Sequence, residues 1–109
     1  WEYVAGQAVK LRFKAGMITT VAGTSAFLDC EAFKLQGDPD DAIGSDLVST
    51  AQTTMNSLTF ADIDFTVTPT SLSPGDILDV RIRTIVTDGA SGTAVIAGIT
   101  SAKLVCDVR

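Results

Sequence analysis

Apolar and polar residues alternate one by one along much of this chain, and this alternation limits the folds open to it. Residues 9–14 read Val-Lys-Leu-Arg-Phe-Lys, and residues 62–67 read Asp-Ile-Asp-Phe-Thr-Val. Successive side chains of a β-strand point to opposite faces of its sheet, so each stretch predicts a strand with one apolar and one polar face. No stretch has a convincing helical spacing, and the sequence therefore predicts an all-β domain.

Turn residues divide the chain into six to eight predicted strands. Residues 73–76 read Ser-Pro-Gly-Asp, a turn in which proline fixes one backbone angle and glycine accepts a positive φ. We expect Ala15 and Gly16 to end the first strand and Gly98 to mark a bulge or a bend. Such spacing of turns favours an antiparallel sandwich of two sheets. The strands are predicted at residues 9–13, 17–21, 26–35, 47–54, 58–68, 77–87 and 93–108.

The composition agrees with this fold class and indicates a single domain. Val, Ile and Thr account for 32 of the 109 residues, and these β-branched side chains fit a pleated surface. A folded chain of 11.4 kDa hides roughly 65% of the surface of its extended form, which is enough for one core. No repeat or linker divides the chain, so residues 1–109 are predicted to form one β-sandwich domain.

Several classes of function are disfavoured by what the chain contains. It has no histidine, which removes the most common general base and metal ligand. Its net charge is −5, with eight basic residues spread thinly, whereas nucleic-acid binding needs clustered Lys and Arg. The longest uncharged stretches, 15–28 and 89–102, are shorter than a membrane span. We therefore expect no enzyme activity, no cofactor, and neither nucleic acid nor membrane as a partner.

Two groups of acidic residues are candidate sites. Asp38, Asp40 and Asp41 share a predicted loop, and calcium binds through carboxylate oxygens, but their spacing lacks the register of a dedicated calcium loop. Asp62 and Asp64 share one strand face, as catalytic carboxylates do in glycoside hydrolysis. A solvated turn and a soluble strand face are the favoured interpretations, so no metal ligand or catalytic residue is assigned.

The two cysteines, Cys30 and Cys106, lie in apolar runs far apart in the sequence. The favoured interpretation is two buried free thiols that act as small apolar side chains. The alternative is a disulfide between strands, which would stabilise the fold by closing a long loop. A catalytic thiol is disfavoured because no histidine or basic cluster is present to lower its pKa.

Basic and aromatic residues supply the first part of a candidate interface. Lys10, Arg12 and Lys14 form a basic stripe on an acidic chain, which is either solvated or docks on an acidic protein surface. Trp1 and Tyr3 are unusual for a solvated end, because large aromatic side chains concentrate where one side is buried. We expect both aromatic residues to pack on the sandwich or on a neighbouring chain.

The second part of the candidate interface comes from residues of mixed polarity. Phe33 shares a strand face with acidic residues, which suggests that another subunit partly covers that face. Arg81 and Arg83 are expected to pair across strands with Asp62 or Asp64, or to contact a neighbouring subunit.

Residues 73–83 read Ser-Pro-Gly-Asp-Ile-Leu-Asp-Val-Arg-Ile-Arg, a Pro-Gly-Asp turn followed by an alternating strand with arginine near its end. This stretch resembles a pattern common among virion proteins of tailed bacteriophages. The aromatic entry, the strands predicted at 9–13 and 26–33, and the closing stretch at 98–105 are similar to the same pattern. The resemblance implies a jelly-roll sandwich that forms trimers on virions and has a structural role.

The leading expectation is therefore a capsid decoration, or cement, protein. It would bind the major capsid protein on the phage head as a homotrimer, and would be found on the capsid surface of virions assembled in the host cytoplasm. The alternative is the receptor- or glycan-binding tip of a tail fibre. The candidate interface residues are Trp1, Tyr3, Lys10, Arg12, Lys14, Phe33, Arg81 and Arg83.

Overall fold

The computed structural model describes residues 1–19, 24–35, 44–89 and 94–109. These residues form two three-stranded antiparallel sheets, with strand orders β4-β1-β6 and β3-β2-β5. No helix is found in these four ranges, and so none that could cross a membrane. The strands are β1 (Val9–Met17), β2 (Thr24–Lys34), β3 (Thr53–Thr54), β4 (Ala61–Val67), β5 (Leu78–Asp88) and β6 (Ala97–Cys106).

The predicted all-β class and two-sheet antiparallel sandwich are confirmed. A jelly roll has eight strands, whereas the described residues form six, so the jelly-roll arrangement stays a prediction. The strand predicted at 47–54 is reduced to β3. The acidic loop around Asp40 and the predicted piece at 20–21 lie outside the described residues.

The core forms where the alternating strands turn their apolar sides inward. Phe65 of β4 is completely buried, and its ring meets that of Phe13 edge to face with centroids 6.0 Å apart. Full burial of one such side chain stabilises the fold by about 1.5–3 kcal/mol. The buried apolar residues are Val9, Leu11, Phe13, Ala15, Met17, Ala26, Leu28, Cys30, Ala32, Met55, Ile63, Phe65, Val67 and Leu72.

The prediction that Ala15 and Gly16 end the first strand is wrong, because β1 continues to Met17. Gly16 lies opposite Gly98 of β6, and the missing side chains leave room for the ring of Phe60. A Cβ atom on Gly16 would lie 2.9 Å from Cδ1 of Phe60 and 3.0 Å from the carbonyl oxygen of Ser57. Glycine at these two positions therefore lets the ring of Phe60 pack against β1 and β6, and β1 continues past Gly16.

Gly98 also does not mark the bulge. The register between β1 and β6 shifts between Lys14 and Ala15, which pair with Ser101 and Ile99. Thr100 is the extra residue, because it falls between these two partners. A bulge of this kind bends the strand locally and increases its twist.

Residues 46–50 close one side of the sandwich. The amide of Leu47 donates to the carbonyl of Ala32 in β2 at 2.8 Å, and its carbonyl accepts from the amide of Thr68, just beyond β4, at 2.8 Å. The Asp46 carboxylate also accepts from the amides of Ala32 and Val48 at 2.9 and 3.0 Å. This segment joins both sheets and therefore belongs to neither, which explains why a regular strand is absent there.

Candidate interface at the open side of the sandwich

The opposite side of the sandwich is bordered by β5 and β6, which are the edge strands of their two sheets. Among the described residues no backbone hydrogen bond joins β5 to β6. Ile82 lies opposite buried Cys30, and Leu104 lies opposite buried Leu11. Side chains directly opposite each other on antiparallel strands share a sheet face, so Ile82 and Leu104 both face inward.

Several inward-facing apolar side chains on these two strands are nevertheless exposed to solvent. Ile82 is 47% exposed and Leu104 is 57% exposed, while Cys30 is only 2% exposed. Within the four described ranges no third strand covers β5 or β6 from the side, so their inner faces lack a last layer of neighbours there. We call this surface the open seam, with a β5 lip and a β6 lip. The β5 lip is Val80, Ile82 and Val86, and the β6 lip is Leu104 and Cys106.

An apolar groove of about 420 Å³ occupies one end of the open seam. Val9 and Leu11 line it from β1, and Leu78 and Leu104 line it from the two lips. The described lining residues include one charged side chain, Asp76. The groove is therefore suited to covering by apolar groups.

The carboxylate of Asp76 at the groove is already engaged. It accepts a hydrogen bond from the amide of Ser73 at 2.7 Å, and Nζ of Lys34 lies 3.3 Å away. The hydrogen bond from the Ser73 backbone, assisted by Lys34, lowers the pKa of Asp76 below its ordinary value. The ionised carboxylate thus holds the turn that leads into β5, and the groove has no unpaired charge of its own to attract a charged ligand.

Trp1 and Tyr3 lie beside the open seam but differ in burial. Tyr3 pairs with Val108, packs against the core and lines the groove, and its hydroxyl donates to the carbonyl of Gln7 at 2.8 Å. Trp1 is fully exposed. Because residues two apart on an extended segment share a face, Trp1 extends the row that Tyr3 begins. The expectation of packing on the sandwich is met by Tyr3 and not by Trp1.

The basic stripe predicted on β1 lies on the outer face of the sheet β4-β1-β6. Nε of Arg12 donates to Asp64 at 2.7 Å and Nη2 to the same carboxylate at 3.0 Å. The hydrogen bond from Arg12 lowers the pKa of Asp64. Lys103 of β6 lies beside Arg12 on the other flank.

This face carries a positive balance on a chain whose net charge is −5. Four cationic side chains face two carboxylates, which leaves a local balance of +2. The stripe is thus partly neutralised by the chain itself and still available to an acidic surface. These charged residues are Lys10, Arg12, Lys14, Lys103, Asp62 and Asp64.

The predicted pairing of Arg81 and Arg83 with Asp62 or Asp64 is wrong. The arginines lie on β5, which pairs with β2, whereas the two carboxylates lie on β4 in the other sheet. The alternation of apolar and polar residues predicts which face of a strand a side chain occupies, but it does not predict which strand lies beside it in the sheet.

The actual partners of these arginines lie within their own sheet. Arg83 binds the Asp29 carboxylate at 3.1 Å, and Arg81 binds Asp79 at 2.9 Å. The guanidinium of Arg81 also lies over the ring of Phe33, 4.9 Å from its centroid, a cation–π contact. The mixed face of β2 is therefore partly covered from within the chain, and Phe33 does not require another subunit to be shielded.

Both cysteines are free thiols on the inner faces of opposite sheets. Cys30 is buried, and this burial, reinforced by the nearby Asp46 carboxylate, raises its pKa to about 11. Cys106 is half-buried at the groove. Within the described residues no three His, Cys, Asp or Glu side chains are grouped so as to hold a metal ion.

The candidate residues do not form one site. The basic stripe and the Arg81–Phe33 pair lie on opposite outer faces, and of the eight candidate residues Tyr3 lines the groove at the open seam. Sequence reasoning assigned Ile82 to the apolar face of its strand, and it did not foresee that this face would remain uncovered. No protein-family model, curated protein or solved structure matches this chain.

Proposed function

We propose that this chain is a structural virion protein of the capsid-decoration type, which binds the head of a tailed phage as a homotrimer and stabilises it. The observation that carries the proposal is the open seam. Apolar side chains in continuity with the core lie uncovered along one side of the sandwich, and exposed apolar patches of this kind mark surfaces that meet another protein.

The total exposed surface supports covering by another chain. The chain exposes 6600 Å², whereas a folded monomer of its mass is expected to expose ~5,800 Å². The difference of about 800 Å² equals what one partner contributes to an interface of standard size. The molecule is also flat, with extents of 49 × 33 × 18 Å.

The remaining features fit an architectural role. Charged side chains bridge neighbouring strands, as in the pairs Arg12–Asp64 and Arg83–Asp29, and they stiffen the two outer faces. The resemblance of residues 73–83 to phage virion proteins adds the jelly-roll-like trimer and the head surface to the proposal. In this arrangement the basic stripe on β1 docks on acidic groups of the major capsid protein, and no enzyme activity is involved.

Sedimentation and capsid binding test this proposal together. We expect a species of about 34 kDa at micromolar concentration, three times the 11.4 kDa of one chain. We also expect it to cosediment with tailed-phage capsids from which decoration proteins have been removed. The variant Lys10→Glu with Lys14→Glu should keep the trimer and lose capsid binding, because it reverses the charge of the stripe. A monomeric wild-type chain, or a trimer that binds none of these capsids, would overturn the proposal.

A tail-fibre tip that binds receptors or glycans is the second candidate. It is supported by Trp1, whose fully exposed indole offers a platform on which a sugar ring can stack. The other aromatic side chains are half-buried or buried. Binding to a glycan array that is lost in Trp1→Ala would favour this candidate over capsid decoration.

A further inference from the structure

We infer that the open seam is covered by a second copy of this chain, with the β5 lip of one copy packed against the β6 lip of the next. The inference rests on the self-association in the proposed function and names the surface that performs it. It is carried by the chemistry of the two lips, by the exposure of their apolar side chains and by the exposed area of the chain as a whole.

Both lips are apolar and uncharged. The inward positions of β5 from 78 to 86 are Leu, Val, Ile, Thr and Val, and those of β6 from 102 to 106 are Ala, Leu and Cys. The charged residues Arg81, Arg83 and Lys103 all point to the outer faces. An interface core depleted of charge is typical of contacts between identical subunits. Because neither lip carries a charge, each can pack against the other without burying an unpaired charge.

The strands that carry the two lips are similar in length. β5 has 11 residues and β6 has 10, so each runs for about 33–37 Å at the rise of an antiparallel strand. Within these strands the β5 lip spans residues 80–86 and the β6 lip spans residues 104–106. The excess exposed area is of the size that one partner contributes to a standard interface, which a second copy of this chain can supply.

A small apolar ligand in the groove would not cover the open seam. The groove reaches Val80 and Leu104, whereas the exposed row of β5 continues beyond it to Ile82 and Val86. A ligand that filled about 420 Å³ would leave these two side chains in water. Packing against another strand covers the row over its whole length.

The two lips differ in shape, which favours their pairing with each other. The β5 lip carries only β-branched side chains, while the β6 lip carries the longer Leu104 and is continued by Tyr3 and Trp1. Contacts between two different surfaces of the same chain form a ring when the rotation between copies closes, and an open filament when it does not; the trimer of the proposed function is a closed ring of three copies. Trp1 is the single tryptophan of the chain, so its fluorescence reports whether the β6 side is covered.

Matched lysine substitutions on the wild-type chain test this inference. We expect Ile82→Lys and Leu104→Lys each to weaken self-association by roughly 100-fold or more, because the ammonium group would be buried without a partner. Leu58→Lys is the control, since Leu58 is 59% exposed, close to the 57% of Leu104, but lies outside the open seam. Circular dichroism checks that all three variants are folded, which we expect because these side chains are already in solvent.

The outcomes separate this inference from the proposed function. If Leu104→Lys and Ile82→Lys sediment as wild-type trimers, the seam assignment is wrong, while the proposed function stands. If the wild-type chain itself sediments as a monomer, the proposed function fails as well. Loss of the trimer in both variants, its retention in Leu58→Lys, and a blue shift of Trp1 emission on assembly support the inference.

A mixing experiment tests which lip meets which. Ile82→Asp and Leu104→Lys should each fail to assemble alone and should form a two-chain complex when mixed, because the unaltered β5 lip of Leu104→Lys then meets the unaltered β6 lip of Ile82→Asp. If Leu104→Lys alone still forms a full-strength dimer, β5 pairs with β5, and the proposed pairing of unlike lips is overturned. The same conclusion follows if the mixture remains monomeric.

Discussion

Cys30 and Cys106 show how two residues with the same local pattern acquire different properties. Both face inward on an alternating strand, but Cys30 lies on the central strand β2 and Cys106 on the edge strand β6. Burial raises the pKa of Cys30 to about 11, against an ordinary value of 9.0. The folded state therefore holds the Cys30 proton over a pH range in which the unfolded chain has lost it.

This difference predicts that stability falls as the pH rises from 9 to about 11. The raised pKa contributes stability that is fully present below 9 and lost by about 11, because only the unfolded chain releases the proton in between. We expect a loss of at most about 3 kcal/mol from this residue over the whole window. Urea unfolding at pH 8 and 10.5 measures this loss in the free energy of unfolding. The variant Cys30→Ala should make the free energy of unfolding less dependent on pH, and Cys106→Ala is the control. An unchanged dependence in Cys30→Ala would contradict the assignment.

For single residues, the sequence predicted which face of a strand each side chain occupies, but it did not predict how deeply that side chain is buried. Alternation correctly placed Leu28, Cys30 and Ala32 on one face of their strand. It could not rank Cys30 against Cys106, because burial depends on the strands that flank a residue in space. The cation–π contact of Arg81 with Phe33 was missed for the same reason, since it needs the pairing of β5 with β2.

At the level of strands, the contact of β1 and β6 with the loop before β4 depends on a pair of opposed glycines. A Cβ atom on Gly16 would meet rigid backbone, the carbonyl oxygen of Ser57 at 3.0 Å and Cα of Phe60 at 3.2 Å. A Cβ atom on Gly98 would meet only side-chain ends, Cδ1 of Ile18 at 3.1 Å and Cζ of Phe60 at 3.3 Å. The side-chain atoms near Gly98 can therefore move aside for a Cβ atom, whereas the backbone atoms near Gly16 cannot.

We predict that Gly16→Ala destabilises the fold by about 1–3 kcal/mol, the usual cost of overpacking. Gly98→Ala should cost less, because the flexible end of Ile18 can move and alanine is better than glycine in a strand. Chemical denaturation of both variants at one protein concentration measures the difference. Equal losses, or a larger loss for Gly98→Ala, would show that the backbone contacts of Gly16 are not decisive.

The strands that the sequence predicted well are those with strong alternation. β1, β2, β4 and β5 follow from their apolar and polar rows, and the core follows from the same rows. The segment at 46–50 could not be predicted, because its place is set by the hydrogen bonds of Asp46 and Leu47 to β2 and to the end of β4. The open seam could not be predicted either, because a row of inward-facing apolar residues gives the same sequence pattern on a central strand and on an edge strand.

For the whole molecule, the shape is elongated, with extents of 49 × 33 × 18 Å. The radius of gyration is 16.3 Å, against about 13 Å for a compact domain of this length. One side is closed by residues 46–50, while the other ends in two uncovered edge strands. These two edges are the surfaces that the proposed self-association would cover.

We therefore predict that the melting temperature rises with protein concentration. Association stabilises the folded state by mass action, so a hundred-fold increase in concentration adds about 2 kcal/mol per copy of a trimer. The expected rise in melting temperature is on the order of 10 °C. Differential scanning calorimetry over this range measures it, and the Leu104→Lys variant should show no such rise. A constant melting temperature in the wild-type chain would mean that the folded state does not self-associate.

The pairing of β1 with β6 also determines when this domain can fold during synthesis. Val9 lies opposite Cys106, so the central strand of one sheet waits for the last strand to leave the ribosome. Until then β1 has an unpaired edge and an uncovered apolar face, a condition that promotes aggregation of nascent chains. The sheet that contains β1 is therefore complete only after β6 has left the ribosome.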